Sequence, residues 1–346
     1  MANLKYELIE SLDEIGAKEW NSVVEDSSVG TFFHGHEWLY AIEKGGEAKA
    51  KHMIIRKNDN LVSIFPNFIF KLRGLPFNKL CSVFPSHGGP LILKNEKEIM
   101  NIYLKKLPSI CNSGIVRHEI YFYNPELIRY CALLRGNGYV PELESAFILD
   151  TKTQQNELKK KTRRNITKGE KYGYDLEIDE LNNENLNRFY DIYSTVMNTI
   201  DGHIWSKDIF KTLIKNAPEN VQLLSLYHDD EYISGEFNIL DKNNSTYYSF
   251  FNGMAKEYLR YGSHYFLTWK TIEHCKENDF RFYDFGSAEN NYENGIFKFK
   301  NRWGANIIPV VRWEKNYSKM KMGLFELGYS VNKRFQLTKK INSLRK

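Results

Sequence analysis

The stretch FRFYDFGSAENNYENGIFKFKNRWG occupies residues 280–304 and decides the fold. Its first six residues are rich in aromatic side chains and are typical of a strand. The strand carries the carboxylate of Asp284 and ends at Gly286, and a short polar loop follows. The segment then closes with Phe-Lys-x-x-aromatic-Gly at residues 299–304. This order carries most of what the sequence says about the fold.

The same order of predicted elements occurs on both sides of the middle of the chain. The first half predicts a strand at 6–11, helices at 11–20 and 37–44, a hairpin over 51–72, a helix at 95–110, a strand at 118–123, a helix at 125–137 and a closing strand at 145–149. The second half predicts a strand from 176, helices at 185–199 and 207–216, strands at 221–227, 232–240 and 245–251, a long helix at 259–277, and strands at 281–285 and 307–313. Each half is therefore predicted to be an α/β unit with a mixed sheet flanked by helices.

Composition limits the class of protein. With 346 residues, 42% hydrophobic and 14% aromatic, the chain is predicted to be globular with two cores. No run of about 18 apolar residues occurs, which predicts a cytosolic chain that does not span a membrane. The four cysteines form no CxxC pair, and His34, His36 and Glu37 are expected to pack where a helix begins, so no metal site is assigned.

The quoted stretch resembles the C-terminal signature of the Fem peptidyltransferases and the related BioF2-like acetyltransferase domains. A basic segment at 158–173 and a strand-to-helix passage at 248–275 support the resemblance, and an aromatic segment at 31–38 is a weaker match. The resemblance covers about residues 5–315. It implies two tandem GNAT-like domains at 1–152 and 176–316, the second catalytic, a basic connecting helix at 153–175 and a basic amphipathic tail at 317–346.

The resemblance also implies an acyltransferase. Such proteins move an acyl or aminoacyl group onto an amine, with acyl-CoA or aminoacyl-tRNA as co-substrate and no permanently bound cofactor. The implied acceptor is a nucleotide-linked or lipid-linked envelope precursor, and it presents either a peptidoglycan peptide or an amino sugar. A catalytically decayed module that binds RNA or phosphate is the alternative.

Direct transfer from an ester or thioester to an amine needs positioning, a proton acceptor and oxyanion stabilisation, but no enzyme nucleophile. By resemblance, Phe299 and Lys300 lie at the floor of an acceptor channel, where the Lys300 ammonium stabilises either developing negative charge or the leaving ribose oxygen. The other interpretation makes Lys300 a surface partner of Glu289 or Asp284. Asp284 is predicted either to accept a proton from the amine or to cap a turn.

Further substrate-binding candidates surround this stretch. Arg302 and Trp303 are predicted to clamp and stack on a nucleotide or sugar, although the core is the favoured place for Trp303. Tyr248, Tyr283 and Asn291 are predicted to line the site.

The predicted phosphate loop of a coenzyme A site reads Arg260-Tyr261-Gly262-Ser263-His264-Tyr265. Its cofactor-binding candidates are Arg260, Gly262 and Ser263, because backbone amides at a helix N-terminus hold phosphates. A single glycine matches the expected Gly-x-Gly/Ala turn poorly. This favours a donor carried by tRNA or presented in another way.

Two segments concentrate positive charge. In the first, Lys161 and Arg164 lie three residues apart and so share a helix face, which suits them to hold the diphosphate of an acceptor, although a solvated helix face joining two domains is equally consistent. The second is the tail at 319–346, whose basic amphipathic pattern fits peripheral contact with the inner membrane surface, tRNA binding or docking on the second domain.

Overall fold

The computed structural model describes residues 4–46, 48–72, 76–82, 87–111, 114–153, 158–318 and 323. The basic tail predicted at 319–346 lies outside the described residues except for Gly323. Predictions about a membrane or RNA contact of that tail therefore remain predictions.

The first half contains nine strands and four α-helices among the described residues. They are β1 (Leu4–Ile9), α1 (Ala17–Glu25), α2 (His36–Lys44), β2 (Lys49–Ala50), β3 (His52–Lys57), β4 (Asn60–Phe65), β5 (Phe68–Lys71), β6 (Asn78–Ser82), β7 (Leu91–Ile92), α3 (Glu96–Ile110), β8 (Ile115–Phe122), α4 (Cys131–Gly136) and β9 (Val140–Asp150).

The second half begins with the basic helix and follows the predicted order. Its elements are α5 (Lys160–Tyr172), β10 (Asp175–Asp179), α6 (Asn183–Thr199), α7 (Lys207–Asn216), β11 (Val221–His228), β12 (Glu231–Asp241), β13 (Thr246–Met254), α8 (Ser263–Glu277), β14 (Phe282–Ala288), α9 (Gly295–Lys300) and β15 (Asn306–Asn316).

Two sheets form the framework. A four-stranded sheet has the order β1-β3-β4-β7, and an eleven-stranded sheet has the order β10-β11-β12-β13-β14-β9-β15-β8-β6-β5-β2. Parallel pairing occurs between β13 and β14 and between β6 and β8, and the remaining pairs are antiparallel. The predicted class, mixed and mostly antiparallel sheets flanked by helices, is confirmed.

The strand predicted to close the sheet of the first half lies elsewhere. Strand β9 pairs with β14 on one side and with β15 on the other, and β15 pairs with β8. The two halves thus exchange their last strands. The strand predicted at 145–149 exists, but the prediction that it closes the sheet of the first half was wrong. The residue pattern of a strand does not specify its partner. The domain boundaries at 152 and 176 remain predictions, and the large sheet is continuous across them.

Local sequence signals fixed several boundaries. Ser11 and Glu14 form the predicted capping box, but it caps a single 3-10 turn, and α1 begins only after Gly16. The predicted helix at 11–20 is therefore two elements. The helix predicted from 259 also divides, because Gly262 adopts a φ of +83° and α8 begins after it.

Hydrophobic packing separates the two faces of the large sheet in the second half. On one face, α6 and α7 pack on Tyr248 and Phe251 in a core that continues into the first half. On the other face, α8 covers a smaller core around Tyr247 and Tyr283. Adjacent residues of a strand point to opposite faces, so Asp284 points away from α8 and towards the face that carries α6.

Candidate functional site

Strands β13 and β14 separate after a short parallel contact. They pair at Thr246, Tyr247 and Tyr248 with residues 282–284, and beyond Asp284 each continues without the other. Their facing backbone groups border a cavity of about 310 Å³, which we call the cleft cavity. It is lined by His87, Tyr123, Tyr193, Met197, His203, Trp205, Tyr248, Ser249, Phe250, Phe251, Asn252, Asp284, Phe285, Gly286, Ser287 and Lys300.

The carboxyl group of Asp284 is held in this cavity wall by two donors. The Tyr123 hydroxyl donates to Oδ2 over 2.6 Å, and the backbone N–H of Gly286 donates to Oδ1 over 2.6 Å. Only 1% of Asp284 is exposed, and burial raises its pKa to about 6. The two hydrogen bonds and the positive charge of Lys300 oppose that rise. Asp284 can therefore bind and release a proton close to neutral pH.

Lys300 also lines the cleft cavity. It reaches from α9 and donates to the Ser287 carbonyl oxygen over 2.8 Å. Burial lowers its pKa to about 8, and the charge of Asp284 opposes this. Among the ion pairs of the described residues, neither Glu289 nor Asp284 is a partner of Lys300. The interpretation of Lys300 as a surface ion-pair residue therefore finds no support.

A second cavity of about 290 Å³ lies where the two halves meet, and we call it the junction cavity. It is lined by Val29, Thr31, His34, His87, Gly88, Tyr123, Asn124, Pro125, Leu127, Ile148, Asn244, Thr246, Tyr248, Phe282, Asp284 and Ile308. Four side chains line both cavities: His87, Tyr123, Tyr248 and Asp284. Asp284, although buried, is thus part of the walls of both cavities.

The first half contributes side chains that the sequence did not indicate. Neither His87 nor Tyr123 was a candidate. Tyr123 donates a hydrogen bond to Asp284, and His87 lines the same cavity. They reach it because β9 and β15 join the two halves in one sheet. An isolated histidine or tyrosine gives no sequence signal for such a contact.

The predicted aromatic residues have different places. Tyr248 lines both cavities, and its role in binding a substrate remains a prediction. Tyr283 is 1% exposed and packs in the core on the α8 face, since it neighbours Asp284 in the strand and points the opposite way. Trp303 is fully buried in the same core. Phe299 stacks on His264 at 4.2 Å and also packs on this side.

The polar candidates lie outside the cavity linings. Arg302 donates to the Tyr265 hydroxyl over 3.1 Å. Asn291 is exposed in the loop after β14, where its side chain accepts from the Glu293 N–H. The structure therefore gives Arg302 and Asn291 local partners instead of contacts with Asp284.

The predicted phosphate loop contacts the basic helix. A methyl group on Gly262 would lie 2.5 Å from the Asn165 carbonyl oxygen, so α5 packs directly on the start of α8. Lys168 donates to the Arg260 carbonyl oxygen over 2.6 Å, and Ser263 is fully buried. Much of the surface around Gly262 is therefore occupied by protein.

The basic helix α5 lies on the α8 face, opposite the cleft cavity. Its buried side consists of Thr162, Ile166 and Gly169. Lys161 and Arg164 are exposed on its outer side, as their spacing predicted. The structure therefore does not bring these two residues to Asp284 and Lys300.

Comparison with known proteins identifies the family of the domain that carries the site. Residues 156–294 match the family described as "Acetyltransferase (GNAT) domain". The chain is an acyltransferase with a GNAT domain over these residues. The resemblance to Fem and BioF2-like proteins drawn from residues 280–304 is thereby confirmed, and none of the curated proteins matches this GNAT protein by sequence.

Solved structures share the fold over nearly the whole chain. FemX has a TM-score of 0.64 at 13% identity and covers 93% of this chain and 99% of its own. L-PGS from Bacillus licheniformis has a TM-score of 0.60 at 12% identity, covering 93% and 97%. A tandem GNAT protein from the clavulanic acid biosynthesis pathway has 0.60 at 9% identity, covering 91% and 99%. At these identities the likeness is one of fold.

Two further observations concern the described part of this GNAT chain. No helix there has the length and apolar character needed to cross a bilayer. Within the same residues, no group of three or more His, Cys, Asp and Glu side chains is arranged to hold a metal ion.

Proposed function

We propose that this acyltransferase moves an acyl or aminoacyl group from an activated ester or thioester directly to the amine of a cell-envelope precursor. The observation that carries the proposal is that Asp284 and Lys300 both line the cleft cavity. Burial raises the pKa of the carboxyl group to about 6 and lowers that of the ammonium to about 8. At neutral pH the two groups are a proton acceptor and a cation in one cavity.

The chemistry follows from these two charges. The acceptor binds as an ammonium and gives one proton to Asp284. The free amine attacks the acyl carbon, so a C–N bond forms and the carbonyl electron pair moves onto oxygen, where the Lys300 ammonium stabilises it. When the carbonyl re-forms, the C–O or C–S bond breaks. The leaving oxygen or sulfur takes the second proton of the amine.

The identity of the donor is part of the proposal. Contact between α5 and Gly262 leaves little space for a pyrophosphate at the start of α8, which supports aminoacyl-tRNA over acyl-CoA. The exposed cations of α5, including Lys161 and Arg164, offer a surface for the phosphates of tRNA or of a nucleotide-linked acceptor. Binding to an RNA donor should then weaken steeply as salt concentration rises.

The test replaces Lys300 with methionine, which keeps most of the side-chain volume and removes the charge. Transfer to a panel of amines is measured with acetyl-CoA, longer acyl-CoAs and charged tRNA as donors. We expect Lys300→Met to lower kcat by about 100-fold or more, because an oxyanion loses its stabilising charge. Lys298→Met is the matched control, since Lys298 lies exposed on the same helix and outside the cavity lining.

The outcomes separate the enzyme from the alternative. Full transfer by Lys300→Met would contradict the proposed role of Lys300. Salt-sensitive RNA binding without transfer to any amine would instead favour the decayed binding module. The shifted pKa values of Asp284 and Lys300 support the enzyme over the binding module. Burying two ionisable groups costs free energy and would not help a module that only binds RNA.

A further inference from the structure

The proposed reaction leaves a proton on Asp284 in every cycle. The acceptor arrives as an ammonium and loses two protons, of which one goes to the leaving oxygen or sulfur and the other to the Asp284 carboxylate. Asp284 must give that proton to water before it can act again. Only 1% of the residue is exposed, so its carboxyl group needs a route to solvent.

Tyr123 is the side chain that connects Asp284 to more exposed surroundings. Its hydroxyl donates to Oδ2 over 2.6 Å, and the other donor to the carboxyl group is the backbone N–H of Gly286. A backbone N–H only donates, whereas a hydroxyl can accept one proton while it gives up another. Tyr123 is partly exposed and lines the junction cavity as well as the cleft cavity. The hydroxyl of Tyr123 is therefore the contact through which the proton can leave.

The other ionisable side chains near Asp284 are poor acceptors for this proton. Lys300 is already an ammonium at neutral pH, because its pKa is about 8. Burial lowers the pKa of His87 well below its ordinary value, so the imidazole is a weak base. Tyr248 also lines both cavities, but among the hydrogen bonds of the described residues none joins it to Asp284. These side chains leave Tyr123 as the first carrier.

The junction cavity offers water a place beside Tyr123. Its volume of about 290 Å³ is enough for several water molecules. Two residues of its lining, Pro125 and Asn244, are exposed, so the cavity reaches the surface. Most of the remaining lining is apolar, and its imidazoles are weak bases because burial lowers the pKa of both His34 and His87. Water is therefore the acceptor that this cavity supplies.

We propose that Tyr123 is the proton relay of Asp284 and that the junction cavity is the exit of the proton to solvent. The inference rests on the proposed function, which supplies the proton. While substrates fill the cleft cavity, water reaches Tyr123 from the junction cavity. His87 stacks on the Tyr123 ring at 3.8 Å and on Phe33 at 4.2 Å, which holds the tyrosine in place.

The relay step moves two protons. While Asp284 is protonated, its O–H donates to the Tyr123 oxygen, and the Tyr123 O–H points into the junction cavity. The Asp284 O–H bond breaks as its proton moves to the Tyr123 oxygen, and the former Tyr123 proton moves to a water molecule. The carboxylate is restored, and Tyr123 again donates to Oδ2 as it does in the structure.

The rates at which Asp284 gains and loses a proton test the relay without any substrate. Infrared spectroscopy of the full chain after light-triggered acid and base jumps follows the carboxyl C=O band of Asp284, which Asp284→Asn identifies by its loss. Tyr123→Phe should lower both rates by about tenfold or more, because the carrier is removed. Loss of the hydrogen bond alone raises the pKa and so changes the ratio of the two rates. Unchanged rates, or a change in their ratio alone, would overturn the proposal.

Variants of Ile308 test the exit. Ile308 lines the junction cavity but not the cleft cavity, and it leaves the hydrogen bond to Asp284 intact. Ile308→Phe should lower both rates about threefold without changing the pKa of Asp284, because the larger ring displaces water. Ile308→Val is the matched control and should keep both rates, as should Tyr121→Phe, which removes a hydroxyl elsewhere. Thermal melting checks that each variant is folded. Equal rates in Ile308→Phe and Ile308→Val would contradict the junction cavity as the exit.

The proposed function and the relay fail in different ways. If the wild type acylates an amine and Tyr123→Phe leaves both proton-exchange rates unchanged, acyl transfer stands and the relay is wrong. If the two rates fall together in Tyr123→Phe although the wild type acylates no amine, the relay stands and the proposed transfer is wrong.

Discussion

Each half of the molecule contains one pair of parallel strands joined through a helix, and the two pairs differ in closure and in charge. In the first half, all five residues of β6 pair with β8. In the second half, β13 and β14 pair over three residues and then diverge around the cleft cavity. The strands of the first pair thus stay hydrogen-bonded along the whole of β6, whereas those of the second pair separate and leave a cavity between them.

The buried carboxylates of the two pairs differ in the same way. Glu119 on β8 is 4% exposed and receives Lys79 at 2.7 Å and Arg117 at 3.7 Å. Asp284 on β14 is held by a hydroxyl and an amide, with Lys300 nearby but not paired to it. A buried carboxylate with cationic partners serves the fold, whereas one held only by neutral donors remains available for proton transfer.

The largest expected effect comes from neutralising the two carboxylates separately. Asp284→Asn should lower kcat by about 100-fold or more, because the proton acceptor is lost. The cost of ionising Asp284 builds up between its unfolded pKa and about pH 6, so removing the charge should not reduce the free energy of unfolding at pH 7.

Glu119→Gln is the matched variant and should behave in the opposite way. It leaves Lys79 without its carboxylate and should lower the free energy of unfolding by about 2 kcal/mol, with kcat per folded molecule unchanged. Chemical denaturation and single-turnover transfer measure the two quantities. A loss of stability in Asp284→Asn, or of activity in Glu119→Gln, would remove the distinction between the two regions.

The pH dependence of transfer should report the ionisation of Asp284 and Lys300 directly. Asp284 must be ionised to accept a proton, so kcat/KM should rise with pH up to about 6. Lys300 must be protonated, so the same quantity should fall above about pH 8. Each limb should change about tenfold per pH unit. A profile that stays flat from pH 5 to 9 with a slow chemical step would contradict both roles.

Tyr123→Phe should move one limb of that profile. The Tyr123 hydroxyl donates to Asp284 and lowers the carboxyl pKa, so its removal should shift the acidic limb to higher pH by up to about one unit. The limb assigned to Lys300 should stay in place. Tyr121→Phe is the control, because Tyr121 donates to Glu119 in the first region. A shift of the basic limb alone would show that Tyr123 acts on another group.

The smallest expected effect concerns Gly286, whose φ is +75°. A methyl group there would lie 3.7 Å from Lys300 Nζ. Gly286→Ala should cost about 1 kcal/mol of folding stability and several-fold in kcat, because a positive φ strains an alanine and the added methyl group brings an apolar contact to the Lys300 ammonium. Gly173→Ala has a similar φ of +80° with no neighbouring atom, so it should show the stability cost alone. Equal kcat values for the two variants would contradict the placement of Lys300.

Sequence reasoning succeeded where the signal is local. Asp284 and Lys300 lie within one 25-residue stretch, and strand and helix patterns around it predicted β14 and the preceding α8. The hairpin of β3 and β4 and the helix α3 were also confirmed, because hydrophobic periodicity and a turn at Asn58 and Asp59 determine them. The candidate catalytic roles of Asp284 and Lys300 remain predictions.

The parts that sequence missed depend on contacts across the two halves. Nothing in the sequence of residues 140–150 indicates that they pair with β14 and β15. His87 became a candidate only when the structure showed the aromatic rings and cavities around it. Short α9 was not predicted because six residues give too little periodicity. Tyr283 was predicted to line the site but lies in the core on the α8 face. A single aromatic residue does not reveal which face of its strand it occupies.

The exchange of β9 and β15 also constrains the order in which this protein can fold during synthesis. Until residues 306–316 have left the ribosome, β8 lacks its antiparallel neighbour and β9 lacks one of its two. A nascent chain of about 300 residues therefore exposes strand edges that invite pairing with other chains. The sheet of the first half therefore cannot be completed until β15, which follows it by the whole of the second half, has been synthesised.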